Sequence, residues 1–322
     1  VLKKPDENHE PVLAMDLGGT KLLFGVVTSS GKILEREKLY TDTQHGPDGL
    51  IDQMVGQASK ILKKHPEIKK IGIASAGPLD TERGVLLNPT NLKGKDKESW
   101  GMVPVKSRLE ERLKLQVVME NDADAATVAE GWLGKGKDCA NFMVLTLGTG
   151  LGTGIVVRGE PFRNRDGLHP EAGHMIIDAS DRSALCGCGN YGCAEAFLSG
   201  VHFNRRMNRK YQRSYEKAQM WGEAAEKNDP EAKEAFRYYG DKLALAIRNF
   251  AVMFAPEKVY LTGGFSETSH LFLQHTRSVL AELLKGRRKG VDLMPEIEPS
   301  IYGKNAGILG AAYFAFRTKK KS

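Results

Sequence analysis

LGTGLGTGIV, residues 147–156, threads four glycines (148, 150, 152 and 154) and two threonines between two apolar runs. A second glycine turn, DLGGTK at 16–21, follows the apolar run VLAM at 12–15 and lies more than a hundred residues upstream. Glycine lets a backbone approach an anion closely and adopt positive φ at little cost. Successive N–H groups can then form an anion-binding nest. One such loop in each half of the chain suits an enzyme that grips the phosphates of a nucleotide from both sides of a cleft. The Walker pattern GxxxxGK[ST] is absent, which excludes a P-loop. The dinucleotide fingerprint GxGxxG fails as well, because Thr153 stands where its last glycine belongs.

Outward from these loops the pattern reads as α/β. Val12 to Met15, Leu22 to Val27 and Lys32 to Leu39 predict three short strands, and Leu50 to Leu62 has helical apolar spacing. A strand over Ile68 to Ala74 ends at the Gly77-Pro78 turn. It is followed by a helix at Val105 to Leu113, a strand at Gln116 to Met119 and a helix at Ala123 to Leu133. The pattern restarts at Asn141: strands at Phe142 to Leu147 and Ile155 to Val157 flank the long glycine loop. Phe203 to Ala255 is mostly helical with a break near Asn228-Asp229-Pro230. Lys258 to Thr262 is a strand, Ser269 to Leu284 a helix, Glu296 to Tyr302 a strand and Ala306 to Phe316 a helix. Strand, glycine turn and strand occur twice, so the architecture expected is two related α/β lobes.

With 322 residues, 41% hydrophobic and 27% charged, the chain is long enough for two domains. No apolar run approaches the roughly 20 residues that span a bilayer. The start VLKKPDENHE has no hydrophobic signal core, so cytoplasm is the expected location. The net charge of +7 comes partly from the basic run 317–321 and the GRRKG turn at 286–290. No aromatic residues interleave these basic stretches, so a solvated surface is expected and not a nucleic-acid platform. No membrane partner is expected either.

Four groups of residues point to chemistry. Asp16 closes the first strand, where open α/β sheets place ligand contacts. Its carboxylate could hold Mg²⁺ beside phosphates, with Gly18, Gly19, Thr20 and Lys21 completing the loop. An ordinary Gly-Gly hairpin turn reads equally well there. In MENDADAA (119–126), Asp122 stands near a helix start, so it is either a cap or a general base that takes the proton of an attacking hydroxyl. Third, His174 precedes Cys186, Cys188 and Cys193 as H-x11-C-x-C-x4-C, a Cys₃His set suited to a closed structural zinc site. Three clustered cysteines would leave one odd in a disulfide scheme. Cys139 stands apart as a plain thiol. A pinned zinc loop would also hold Glu171 and Glu195, whose carboxylates suit polyol hydroxyls. Finally, LTGGFSE (261–267) and YGKNAGILGAA (302–312) are strand–glycine–helix turns, which fit an adenosine-facing wall or close packing.

Together these motifs resemble the ROK family of bacterial sugar kinases, within the actin-like ATPase superfamily, from Val12 to about Phe316. DLGGTK and LGTGLGTGIV are similar to that family's two phosphate motifs, ENDADAA to its catalytic stretch, EAGH (171–174) with CGCGNYGCAE (186–195) to its sugar-and-zinc pair, and LTGGFSE to its adenosine motif. The resemblance implies a two-lobed α/β, actin-like (ribonuclease H-like) fold with a central cleft. The small lobe would be 1–122, completed by the C-terminal helix 305–322, and the large lobe 123–304 would carry the zinc loop. It implies ATP with Mg²⁺, a structural Zn²⁺ and a homodimer. Asp122 would be the catalytic base. Gly77, Asn91, Asn121, Asp122, Glu171, His174 and Glu195 would contact the sugar. Asp16, Gly18, Gly19, Thr20, Lys21, Gly148, Thr149, Gly150, Gly263 and Gly264 would contact the nucleotide. His174, Cys186, Cys188 and Cys193 would hold the metal.

The expected activity is transfer of phosphate from ATP to the 6-hydroxyl of a hexose, glucose first. The residues before Glu171 are His169-Pro170 where the family usually has Ala-Gly, a pair similar to that of some fructokinase-like members. The cysteine pattern is glucokinase-like. Kinases of fructose, mannose or an N-acetylhexosamine are the alternatives, since pocket groups separate such sugars by only a few kcal/mol. Sugar-sensing repressors of the same family carry a helix-turn-helix domain before the first glycine loop. Only about 11 polar residues precede the first strand here, too few for one.

Overall fold

A β-branched and aliphatic run at Val12–Leu17 (β1) turns at two glycines into Lys21–Val27 (β2), and the two pair antiparallel from Val12↔Val27 to Leu17↔Leu22. The computed structural model describes residues 1–6, 10–89, 92, 100–164, 169–286 and 292–318. The basic stretch 287–290 and the C-terminal run beyond 318 lie outside them. The chain divides into two units, one of Leu2–Lys137 with Arg163–His169 and Lys304–Ser322, the other of Val1, Asp138–Phe162 and Pro170–Gly303.

In the first unit β3 (Ile33–Tyr40) forms the sheet edge and alternates inside and outside. Helix α1 (Gly46–Lys64) begins with Pro47 and Asp48 and ends with Lys63 and Lys64, charges that suit its dipole. Next come β4 (Lys70–Ser75), a small sheet of β5 (Leu79–Asp80), β6 (Val85–Leu87) and β7 (Met102–Val103), helix α2 (Val105–Leu113), β8 (Gln116–Asn121) and α3 (Asp122–Leu133). The main sheet runs β3-β2-β1-β4-β8, with β1, β4 and β8 parallel. Leu50, Ile51, Met54, Ala58 and Ile61 of α1 join Leu109 of α2, covering one face against Leu13, Phe24, Ile71 and Val117.

Against the other face lies the C-terminal helix (Ala306–Arg317), which is apolar almost all round. A Cβ on Gly72 of β4 would lie 1.9 Å from the Ala311 carbonyl oxygen, and one on Gly310 would lie 1.9 Å from that of Ala125. Only glycine permits these approaches. They also decide where the first unit ends. A division after Asp122 is expected from the sequence, but here α3 stays in the first unit, because it packs along the C-terminal helix. Residues 163–169 belong to this unit as well.

The second unit repeats the strand scheme. β9 (Phe142–Leu147), β10 (Leu151–Val157) and β11 (Glu160–Pro161) pair antiparallel, while β12 (Lys258–Thr262) and β13 (Glu296–Pro299) extend the sheet in parallel from β9. The order β11-β10-β9-β12-β13 mirrors that of the first sheet. Strand β10 begins at Leu151 and not near Ile155, because Gly152, Thr153 and Gly154 pair with Thr146, Leu145 and Val144. The long glycine stretch is therefore a tight hairpin at 148–150. Helices α4 (Glu195–Leu198), α5 (Gly200–Tyr211), α6 (Gln219–Glu226), α7 (Pro230–Phe254) and α8 (Leu273–Leu284) complete the unit. Asp229 caps α7 through Glu231 and Ala232, and Pro230 takes its first position, which accounts for the expected break. Residues 264–271, expected to start a helix from Ser269, form 3₁₀ turns before α8. Phe203, Trp221, Phe236, Tyr239, Phe265 and Phe272 build an aromatic core with ring centroids 4.7–6.4 Å apart. Among the described residues no helix is long and apolar enough to cross a membrane.

The packing of the C-terminal helix is open to test with two glycines in helix interiors. Ala is the better helix former by about 0.5–1 kcal/mol. At Gly56 of α1, with open space around a would-be Cβ, Gly56→Ala should raise stability by about that amount. At Gly310 the collision outweighs the gain, and Gly310→Ala should cost about 1–3 kcal/mol. Urea midpoints of the two variants should move in opposite directions.

Candidate functional site

Parallel strands deliver their carboxyl ends to one edge of a sheet, and in the first unit β1, β4 and β8 bring Asp16, Ser75 and Asn121 to that edge. Asp16 pairs across to Leu23 and Ala74, one residue before the β1–β2 hairpin. Gly18 N–H donates to the Lys21 carbonyl at 3.0 Å, and the Thr41 hydroxyl donates to the Gly18 carbonyl at 2.7 Å, so DLGGTK is a closed hairpin turn. Gly18 and Gly19 are half-buried, and Thr20 and Lys21 are exposed. The Asp16 carboxyl meets the N-terminus of the C-terminal helix, where a Cβ on Gly307 would lie 2.4 Å from Asp16 Oδ2. Burial raises the Asp16 pKa to about 7, the Asp122 charge pushes the same way, and Arg36 opposes both.

Asn121, not Asp122, caps α3. Its Oδ1 accepts from the N–H of Ala123 at 2.8 Å and of Asp124 at 3.4 Å. Asp122, in the first turn of the helix, is thus spared the capping role and remains half-buried. Gly77, beyond β4, sits beside Asn121: a Cβ there would lie 3.7 Å from Asn121 Nδ2. The Gly77-Pro78 peptide is cis. Asn91 lies outside the described residues. The first unit therefore gathers Asp16, Gly77, Asn121 and Asp122 at one sheet edge.

In the second unit the donor atoms of His174, Cys186, Cys188 and Cys193 all lie within 4.8 Å of one another. Cys188 Sγ is 3.7 Å from Cys193 Sγ, and Cys186 Sγ is 3.4 Å from His174 Nδ1. Two sulfurs bound tetrahedrally to one zinc, each about 2.3 Å away, would be separated by about 3.8 Å. The cluster therefore fits a zinc ion, with His174 Nδ1 as the fourth ligand. His174 Nε2 is turned the other way, 3.8 Å from Glu171 Oε2. Backbone pairing across the loop at Ile176↔Cys193 and Leu185↔Tyr191 supports this shape.

Glu195, at the start of α4, links this cluster to the glycine hairpin. Its Oε2 accepts from Leu151 N–H at 3.0 Å while Oε1 lies 3.4 Å from Cys186 Sγ. A Cβ on Gly150 would lie 2.7 Å from Glu195 Oε2, so the carboxylate comes close to the hairpin backbone there. Gly148 accepts from Gly200 N–H at 2.8 Å. Gly263, at φ +88°, lies beneath the hairpin, with a would-be Cβ 2.5 Å from the Leu147 carbonyl oxygen. Gly148, Thr149 and Gly264 line one cavity of about 500 Å³ together with Asn204, Lys217 and Gln219. These last three carry no sequence motif, and only the folding of α5 and α6 onto the hairpin brings them there. Gly307, which admits Asp16, lies in the YGKNAGILGAA turn that the sequence marked for close packing.

Comparison with known proteins follows from this geometry. A model of the ROK family matches residues 12–318. The glucokinase of Thermotoga maritima is 30% identical over 315 residues, covering 94% of this chain and 96% of its own. An N-acetyl-D-glucosamine kinase of Escherichia coli O6:H1 is 29% identical over 308 residues, covering 92% and 97%. The crystal structure of a ROK family glucokinase from Streptomyces griseus, in complex with glucose and AMPPNP, superposes with a TM-score of 0.80 at 29% identity, over 96% of this chain and 100% of that one. The fold is the α/β fold of the actin-like ATPases, with its repeated five-stranded sheets.

Two measurements address this site. Asp16 protonates more readily folded than unfolded, so in metal-free protein its contribution to stability falls as pH rises from about 4 to about 7. Asp16→Asn should remove that loss and raise stability at pH 8 by on the order of a few kcal/mol. Urea melts at pH 5 and pH 8 should show a smaller pH slope than in the parent chain. Elemental analysis should find one zinc per chain, lost in Cys188→Ser, with limited proteolysis then cutting near residues 175–193.

Proposed function

The chain belongs to the ROK family, and from that membership we propose that it is an ATP-dependent hexose kinase acting first on glucose. The observation that carries this reading is the placement of Asp122. Asn121 takes over the capping of α3, leaving a carboxylate at the sheet edge within electrostatic reach of Asp16.

In this reading Asp122 accepts the proton of the sugar 6-hydroxyl as that oxygen attacks the γ-phosphorus. By family likeness the proposed sugar partners are Gly77, Asn121, Glu171, His174 and Glu195, and the proposed phosphate partners are Gly18, Gly19, Thr20, Lys21, Gly148, Thr149 and Gly150. Gly264, next to Gly263, borders the cavity that takes the adenosine in this reading. Mg²⁺, when bound, neutralises charge that develops on the phosphates, and Asp16 is the residue placed to hold it. His174 and the three cysteines hold zinc as a structural ion, which pins the loop between Glu171 and Glu195. A homodimer in the cytoplasm goes with the family likeness.

The named relatives include both a glucokinase and an N-acetyl-D-glucosamine kinase at nearly equal identity, so the acylated sugar is the second reading. A coupled assay with ATP across glucose, N-acetylglucosamine, mannose and fructose should give glucose the highest kcat/KM. A general base is worth about 10²–10⁴-fold. Asp122→Asn should therefore lose about that much kcat while calorimetry still detects sugar binding. Near-parental turnover would refute the assignment of the base.

A further inference from the structure

Asp122 is flanked by two further acids, Glu120 at the end of β8 and Asp124 in the first turn of α3. Both carboxylates turn to one guanidinium. Arg163 donates through Nη2 to Glu120 Oε2 at 3.0 Å and through Nη1 to Asp124 Oδ2. Asp124 is 1% exposed, and its second oxygen, Oδ1, is buried without a hydrogen-bond partner. The guanidinium lies 6.0 Å over the Phe314 ring of the C-terminal helix, which fixes its plane from the far side. Arg163 is drawn into the first unit by these contacts, although its neighbour Phe162 belongs to the second.

On this basis, and resting on the assignment of Asp122 as the base, we propose that Arg163 is a positioning residue for it. A fork bonded to the residues two before and two after Asp122 holds the strand-to-helix junction at one angle. The base is then aimed by a lever it does not itself touch. A planar guanidinium suits this task, because it satisfies two carboxylates at fixed geometry where an ammonium would behave as a point charge.

The charge balance supports the same role. Burial raises the pKa of Glu120 to about 7, opposed by Arg163 and His169 and reinforced by Asp124. Burial likewise raises that of Asp124, again against Arg163 and His169, with Asp122 adding to it. Asp16 with Arg36 completes the set of charges around the junction. Arg163 is the cation that directly bonds two of these acids.

The experiment compares Arg163→Met, Arg163→Lys and the triple variant Glu120→Gln/Asp124→Asn/Arg163→Met, each alone and with Asp122→Asn. The triple variant removes both acids of the fork together with their cation, so it leaves neither carboxylate buried without its partner and keeps the test open should Arg163→Met fail to fold. A misaimed group costs on the order of 10²-fold. Arg163→Met and the triple variant should each lose about 30- to 100-fold in kcat, with the KM for the hexose within about threefold. Arg163→Lys should recover part of this. In Arg163→Met the acid limb of the kcat profile should move to higher pH, as the base loses a nearby cation. Added to Asp122→Asn, none of these changes should lower kcat further. Parental kcat in a folded Arg163→Met, or in the triple variant, would overturn the proposal. An Asp122→Asn variant that turns over normally would instead sink the assignment of the base.

Discussion

The C-terminal helix lies so close to its sheet that side chains are excluded where it crosses β4 and α3. Gly72 and Gly310 remove the Cβ atoms that would strike carbonyl oxygens. Much else in the first unit depends on that contact. It covers the sheet face that α1 and α2 leave open, and it packs against α3. Its first turn brings Gly307 against Asp16, and its last turns place Phe314 under Arg163. A helix one methyl group further out would leave Asp16 in water and the guanidinium without a floor.

The second unit solves a similar problem with polar links. A hairpin of Gly148 to Gly150 has few contacts of its own, since glycine brings no side chain to pack. It is held from outside: Glu195 bonds the Leu151 N–H, Gly200 bonds the Gly148 carbonyl, and Gly263 approaches from β12. Glu195 and Gly200 both lie just beyond the cysteine cluster in sequence. A metal held from His174 to Cys193 would therefore also order the hairpin, through the seven residues of backbone from Cys193 to Gly200 and one carboxylate.

Acids are gathered at the working edge of the first sheet, and their environment sets them at odds with water. Asp16 and Glu120 both have pKa values near 7, chiefly through burial. Such groups lower stability at neutral pH unless a cation is near. The two acids differ in which cation meets them. Glu120 has a permanent partner in Arg163. At Asp16 the opposing charge is that of Arg36.

What the sequence alone determined is local and periodic. Apolar runs located the strands of the two main sheets except β11 and missed the short β5, β6 and β7, the Asn228-Asp229-Pro230 break marked a helix start, and the spacing from His174 to Cys193 marked a metal cluster, because ligands close in sequence converge through short loops. The strand ends fared less well. Glycine and threonine concealed the first half of β10, whose pairing with β9 is a matter of register and not of side-chain type. At Asn121-Asp122 the sequence pointed to Asp122 as a cap or a base, and the helix geometry gave the cap to Asn121 instead. Arg163 and the cavity residues Asn204, Lys217 and Gln219 bore no signal at all. Each owes its role to a partner far along the chain, and such meetings are set by how helices pack on a sheet, which no short stretch of residues encodes.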